Sequence, residues 1–161
     1  MKVFNKFSWL IPAILGVVAI VLFLSLNVLT ADFGVLGTSS INGWQATFGT
    51  EDYDNVTIWL IVAIVLIIIG IVFSVLGLSD NKYVMIIPSV LMIIGSTMLF
   101  FTKSFHLAAA LNGVEQEVAR TIIKTMHGTF APALGVYLGG IIGLVGGLLA
   151  LFAIVPKILE K

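Results

Sequence analysis

The sequence predicts an all-α integral membrane protein, a bundle of four transmembrane helices. Three observations predict it. Hydrophobic residues make up 60% of the 161 residues and charged residues only 10%, with a mean hydropathy of +1.18; soluble domains carry about 25% charged residues. Four uncharged apolar stretches are each long enough to cross a hydrocarbon core of about 30 Å. The last of them, APALGVYLGGIIGLVGGLLALFAIV at Ala131–Val155, is studded with Gly135, Gly139, Gly140, Gly143, Gly146 and Gly147. At roughly 100° per residue most of these glycines share a smooth arc with Ala150 and Ala153, and such a face lets another helix come close in lipid.

Lys2 and Lys6 precede the first predicted span, Ser8–Leu29. That run is long for a signal-peptide core and Leu29–Ala31 is a poor cleavage site, so it reads as a retained helix. The first outer loop, residues 30–55, is acidic through Asp32, Glu51, Asp52 and Asp54 and has no Lys or Arg. Within it Ile41, Trp44 and Phe48 gather as an apolar cluster. Trp44 and Phe48 are interaction candidates; the plainer expectation is that Trp44 holds the loop on the membrane interface. Val56–Leu78 is the second span, with Trp59 as an interfacial anchor. Ser79–Lys82 is a tight turn, and Tyr83–Phe101 is the third span.

The second outer loop, residues 102–130, carries Leu107, Leu111, Val114, Val118, Ile122 and Met126 at helical spacing, opposed by Asn112, Glu115, Gln116, Arg120 and Lys124. This pattern predicts one amphipathic helix over Lys103–Thr129. Its apolar face, with Leu111, Val118 and Ile122 foremost, is a second interaction candidate, for the outer leaflet or for a partner; the alternative is a lid on the first loop. His106 and His127 stand at opposite ends of such a helix, too far apart to share a metal, and are expected to be solvated. The fourth span, 131–155, follows.

Lys2, Lys6, Lys82, Lys157 and Lys161 fall on one side of a four-span chain. The positive-inside rule then makes both termini cytoplasmic in a multi-pass plasma-membrane protein. Lys103, Arg120 and Lys124 lie outside, against that bias.

The chain also hints at an internal repeat. WLIPAIL at Trp9–Leu15 matches MIIPSVL at Met85–Leu91, 76 residues later. At the same offset Ala63, Gly70, Ser74 and Gly77 fall on Gly139, Gly146, Ala150 and Ala153, small on small. Two helix–loop–helix hairpins of like orientation are expected, as in parallel-repeat transporters. Pro12, Gly16 and Ala19 of the first span, and Ser89, Gly95, Ser96 and Met92 of the third, should face the bundle interior.

The chemistry is sparse. There is no cysteine, so disulfides and thiolate sites are excluded. No span holds Asp, Glu, Lys, Arg or His at depth, against the habit of proton relays and ion-coupled carriers. Ser74, Ser96, Thr97 and Tyr137 suit helix–helix hydrogen bonds. Net charge is 0, from eight basic and eight acidic residues, which leaves no footprint for nucleic acid. No catalytic motif and no cofactor or metal signature is present. The layout of four spans and two outer loops resembles claudin-type tetraspan proteins and connexin-like large-pore channels. Both families carry paired cysteines in those loops and this chain has none; Gly43-Trp44 is all it shares with the claudin tryptophan motif. No residue role is carried over.

The expectation is therefore a non-enzymatic protein of the lipid bilayer: a homo-oligomeric scaffold, or an accessory subunit beside other membrane subunits. Its contacts would be the glycine arc (Gly135, Gly139, Gly143, Gly146, Gly147) and the outer loops. The alternative is a channel or small-solute transporter with its path between subunits.

Overall fold

The computed structural model describes residues 10–49, 56–76, 86–112 and 114–159. The predicted turn at Ser79–Lys82 and the basic N-terminal segment lie outside the described residues. In order, the elements are α1 (Leu10–Ser25), β1 (Asn27–Asp32), a short 3-10 turn (Gly34–Leu36), β2 (Thr38–Asn42), α2 (Gly43–Phe48), α3 (Ile58–Leu76), α4 (Ile86–Leu99), α5 (Thr102–Leu111), α6 (Glu117–Gly128), β3 (Phe130–Pro132) and α7 (Leu134–Leu159).

The chain is mostly helical. Among the described residues α3 and α7 are long and apolar enough to cross a membrane, and α4 joined to α5 makes a third if that bent pair is one span. α1 is a shorter apolar helix of 16 residues.

α1, α3, α4 and α7 pack side by side in a closed ring, α1 and α4 each lying against both α3 and α7. The buried faces mix small residues with a few large ones. α1 buries Pro12, Ala13, Gly16, Ala19 and Phe23, and α4 buries Pro88, Ser89, Met92, Gly95, Ser96 and Leu99. Ile, Leu and Val cover the outside, which suits lipid. The 76-residue offset reappears in these contacts. A Cβ on Gly146 would lie 3.3 Å from the Pro12 carbonyl oxygen, and one on Gly70 2.9 Å from that of Pro88. A Cβ on Gly139 would lie 3.1 Å from the Ala19 oxygen, and one on Gly95 2.6 Å from that of Ala63. The first helix of each sequence repeat thus packs on the second helix of the other, in matching register.

Among the described residues, Ser74, Ser96 and Thr97 do not make the expected interhelical hydrogen bonds. Thr97 donates its hydroxyl to the Ile93 carbonyl of its own helix at 2.7 Å, and the buried Ser74, Ser89 and Ser96 hydroxyls have no partner. The Ser96 oxygen instead faces Gly143, where any added Cβ would collide with it.

The outer loops depart from the all-helical expectation. The first span was read to Leu29, but α1 ends at Ser25 and the chain turns into β1. Val28, Leu29 and Ala31 are buried in that strand. A short apolar run reads alike as buried helix or buried strand, and Ser25 and Asn27 are the punctuation that marks the change. β1 is the middle of a three-stranded antiparallel sheet ordered β2-β1-β3. It pairs Thr30 with Ser40 of β2 and with Ala131 of β3, so the predicted start of the fourth span is also strand. At the hairpin tip Gly34 and Gly37 have φ of 62° and 93°, conformations a side chain resists, and Asp32 Oδ1 accepts from Gly34 N at 2.8 Å.

The single amphipathic helix predicted over 103–129 is two helices. Asn112 and Gln116 are extended at ψ 127° and 125°, which ends α5 and starts α6. The Asn112-Gly113 pair is a turn signal that outweighs the apolar period. The third span is likewise shorter than Tyr83–Phe101 at its outer end. It stops at Leu99 and bends by 66° into α5, with the Thr102 hydroxyl donating to the Leu99 carbonyl across the break.

One core ties the helix ends to the sheet. Phe23, Leu60 and Leu99 from the sheet-side ends of α1, α3 and α4 meet Val28, Leu29, Ala46 and Val136.

Candidate functional site

The glycine arc is covered within the chain. Gly135, Gly139, Gly143, Gly146 and Gly147 are all buried. Cβ atoms added to them would meet Val28, Phe23, Ser96, Leu15 and Ile93 respectively, at 2.2 to 3.1 Å. The arc is wide because it serves α1 and α4 and, at Gly135, the start of β1. Leu134, Tyr137, Ile141, Val145 and Leu148 on the other face are exposed.

α2 is held flat on the outer end of α1 by Gly43, where a Cβ would stand 2.0 Å from the Phe23 carbonyl oxygen. A capping box starts it: Asn42 Oδ1 accepts from Gln45 N at 2.8 Å, and Gln45 Oε1 accepts from Asn42 N at 3.1 Å. Thr57 N donates to the Thr47 carbonyl at 3.0 Å, which ties α2 to the start of α3. Trp44 and Phe48 then project outward, 57% and 42% exposed, with ring centroids 4.5 Å apart. Trp59, Phe101 and Tyr137 are also exposed at the same end of the helix bundle. Exposed aromatics at one end of apolar helices are the pattern of an interfacial belt.

α6 keeps only part of its apolar face on the protein. Ala119, Ile123 and His127 turn inward, whereas Val118, Ile122 and Met126 are 73%, 55% and 54% exposed. Leu111, at the end of α5, is half-buried.

The two histidines are the largest surprise. The break between α5 and α6 folds the second helix back, so His106 Nδ1 and His127 Nε2 lie 3.0 Å apart in a hydrogen bond. Both are 3% exposed rather than solvated. The rings tilt at 46°, and His127 also packs on Phe130 at 5.3 Å. β3 fixes Phe130 opposite Ala31, so the sheet sets the position of the His127 end of α6. Burial pushes the His106 imidazole down to about 4, with the charge of His127 adding to the effect. His127 is lowered by burial and then by the charge of Lys103, whose Nζ lies 3.5 Å from the Gly128 carbonyl. Both rings are therefore neutral near neutral pH. The bond between them uses one nitrogen of each, and His127 Nδ1 is buried with no partner.

The pair lines a cleft of about 460 Å³ between the sheet and α6. Its polar side is Ser39 and Ser40 of β2 with Gln45 of α2; its apolar side is Phe33, Ile41, Ile123, Met126 and Phe130. No Asp, Glu, Lys or Arg lines it. Among the described residues no group of three or more His, Cys, Asp or Glu could hold a metal ion.

The chain matches no family model, no curated protein and no solved structure.

Of the cleft residues the sequence singled out Ile41, Met126 and the two histidines, but it placed them apart, the histidines because one continuous helix was read between them. The Asn112-Gly113 turn was the signal that brings them together.

Proposed function

We propose that the protein is a non-enzymatic scaffold or accessory subunit of a membrane assembly, anchored by four spans and meeting its neighbour through the outer cap. In this reading the termini and the Ser79–Lys82 turn are cytoplasmic, and the sheet, α2, α5 and α6 face outward from the plasma membrane. The neighbour is a second copy of the chain or another membrane subunit. The observation that carries the reading is the exposed strip of Val118, Ile122 and Met126 on α6. An amphipathic helix gains about 1.5–3 kcal/mol for each such side chain fully buried, and here three remain in the open. Contiguous exposed apolar surface rimmed by charge marks an interaction site, and Glu117, Arg120 and Lys124 supply the rim. The glycines of α7 are already covered within the chain by α1, α4 and β1, so the contact moves from the fourth span to the cap.

The test is the mass of particles extracted with their lipid by an amphipathic polymer. Wild type should exceed one 17.3 kDa chain with its lipid belt, and the Val118→Glu/Ile122→Glu double variant should fall to a single chain while its melting temperature holds. A wild-type particle containing one chain and nothing else would overturn the reading.

A further inference from the structure

We propose that the cleft beneath α6 binds an uncharged amphipathic small molecule, one with a flat apolar body and a hydroxyl head. The site borders the exposed strip, sharing Met126 with it, and does not depend on self-association. Three observations lead to it. The volume of about 460 Å³ lies in the range of small-molecule sites, roughly 300–1,000 Å³. The walls divide by chemistry: Phe33 and Phe130 with the aliphatic Ile41, Ile123 and Met126 form an apolar slot, and the polar groups converge on one side. Finally, a buried polar atom in the lining is unsatisfied, His127 Nδ1. Such an atom costs free energy in the empty protein, and a bound hydroxyl reached by a small movement of the ring would satisfy it.

The head group follows from the donors and acceptors. If His106 Nδ1 donates to His127 Nε2, the free Nδ1 of His127 carries the proton and donates. If the bond runs the other way, that Nδ1 accepts. A hydroxyl answers both tautomers; a carbonyl answers only one. Gln45 spends its oxygen on the capping box and keeps its amide N–H groups as donors, and the Ser39 and Ser40 hydroxyls complete the polar side. The ligand is uncharged because the cleft offers no counter-charge. No ionised side chain lines it, and a charge moved into a half-enclosed apolar slot without a partner is strongly disfavoured. Both imidazoles stay neutral near pH 7 because they are buried against each other.

The test uses the full chain in lipid nanodiscs with carbon-13 labelled methionine methyls, and 2-naphthol as the probe. Met126 reports the cleft, and Met92, fully buried in the helix ring, reports any general effect of the probe in the bilayer. 2-Naphthol should shift the Met126 methyl saturably and leave Met92 unmoved. Naphthalene, lacking the hydroxyl, and 2-naphthoate, carrying a charge, should each bind about tenfold more weakly or worse. His127→Phe should weaken 2-naphthol about tenfold and leave naphthalene unchanged. Should that variant misfold, Ser40→Trp fills the cleft from an exposed strand position and should abolish the Met126 shift. A Met126 signal that does not move in wild type overturns the proposal. So do equal affinities for the three probes, or a Ser40→Trp variant that still binds.

Discussion

Gly139→Ala separates close helix packing inside the chain from packing between chains. A Cβ at this position would stand 2.8 Å from Phe23 Cβ and 3.1 Å from the Ala19 carbonyl oxygen. Carbon atoms rest at about 3.5–4.0 Å, so α1 and α7 must part by roughly 0.7 Å along much of their contact. Overpacking of this kind costs about 1–3 kcal/mol. Alanine returns up to about 1 kcal/mol through its better helix propensity, which leaves a net loss of up to about 2 kcal/mol. Gly128→Ala is the matched control. Nothing lies within 4 Å of its added Cβ, so only the propensity gain of some tenths of a kcal/mol survives. For a chain of this size each kcal/mol moves the melting temperature by about 2–4 °C. Gly139→Ala should therefore melt several degrees below wild type in mild detergent, and Gly128→Ala at or slightly above it. The particle mass should not change in either. A Gly139→Ala protein as stable as wild type would refute the close approach, and one that kept its melting temperature but fell to a smaller particle would return the arc to the role of a subunit interface.

The histidine pair predicts a pH dependence with a definite sign. His106 is lowered from 6.5 to about 4 in the folded chain, so the unfolded chain binds more protons between these values and stability falls as pH drops through that window. The loss, roughly 2–3 kcal/mol, should appear in melting curves taken from pH 7 to pH 4 and should flatten in His106→Phe. Cysteines placed at Val35 and Gln116, both exposed on the cap, should react with an impermeant thiol reagent on intact cells, and one at Asn81 should not; labelling at Asn81 would overturn the four-span topology. Asn42→Ala removes the N-terminal cap of α2 and should cost about 1 kcal/mol, read as a lower melting temperature with the Trp44 fluorescence shifted.

Lipid-like composition and small-residue spacing were enough to read the helical part of the molecule. Pro12, Gly16 and Ala19, and Gly95 and Ser96, fall inward in the structure as their spacing indicates, because in a helix a face is fixed by 3.6-residue geometry alone. The glycines of α7 were equally legible as a close-packing surface, since any neighbour requires the same smoothness. Which neighbour was not legible: α1 and α4 take most of the arc and β1 meets Gly135, and that depends on how four helices close into a ring. Strand β1 was hidden because Val28 and Leu29 extend the apolar run past Ser25 and Asn27, and its partner β3 comes from a distant part of the chain. The cleft was hidden for the same reason. His106 and His127 meet only because α5 leaves α4 at 66° and α6 turns back onto a sheet whose central strand lies about a hundred residues earlier in the chain. The sequence by itself determined where apolar helices form and which faces they bury, since both follow from local periodicity. The tertiary structure alone decided the pairing of β1 with β3, the covering of the glycine arc and the histidine pair, since each needs contacts between residues whose separation along the chain no local pattern records.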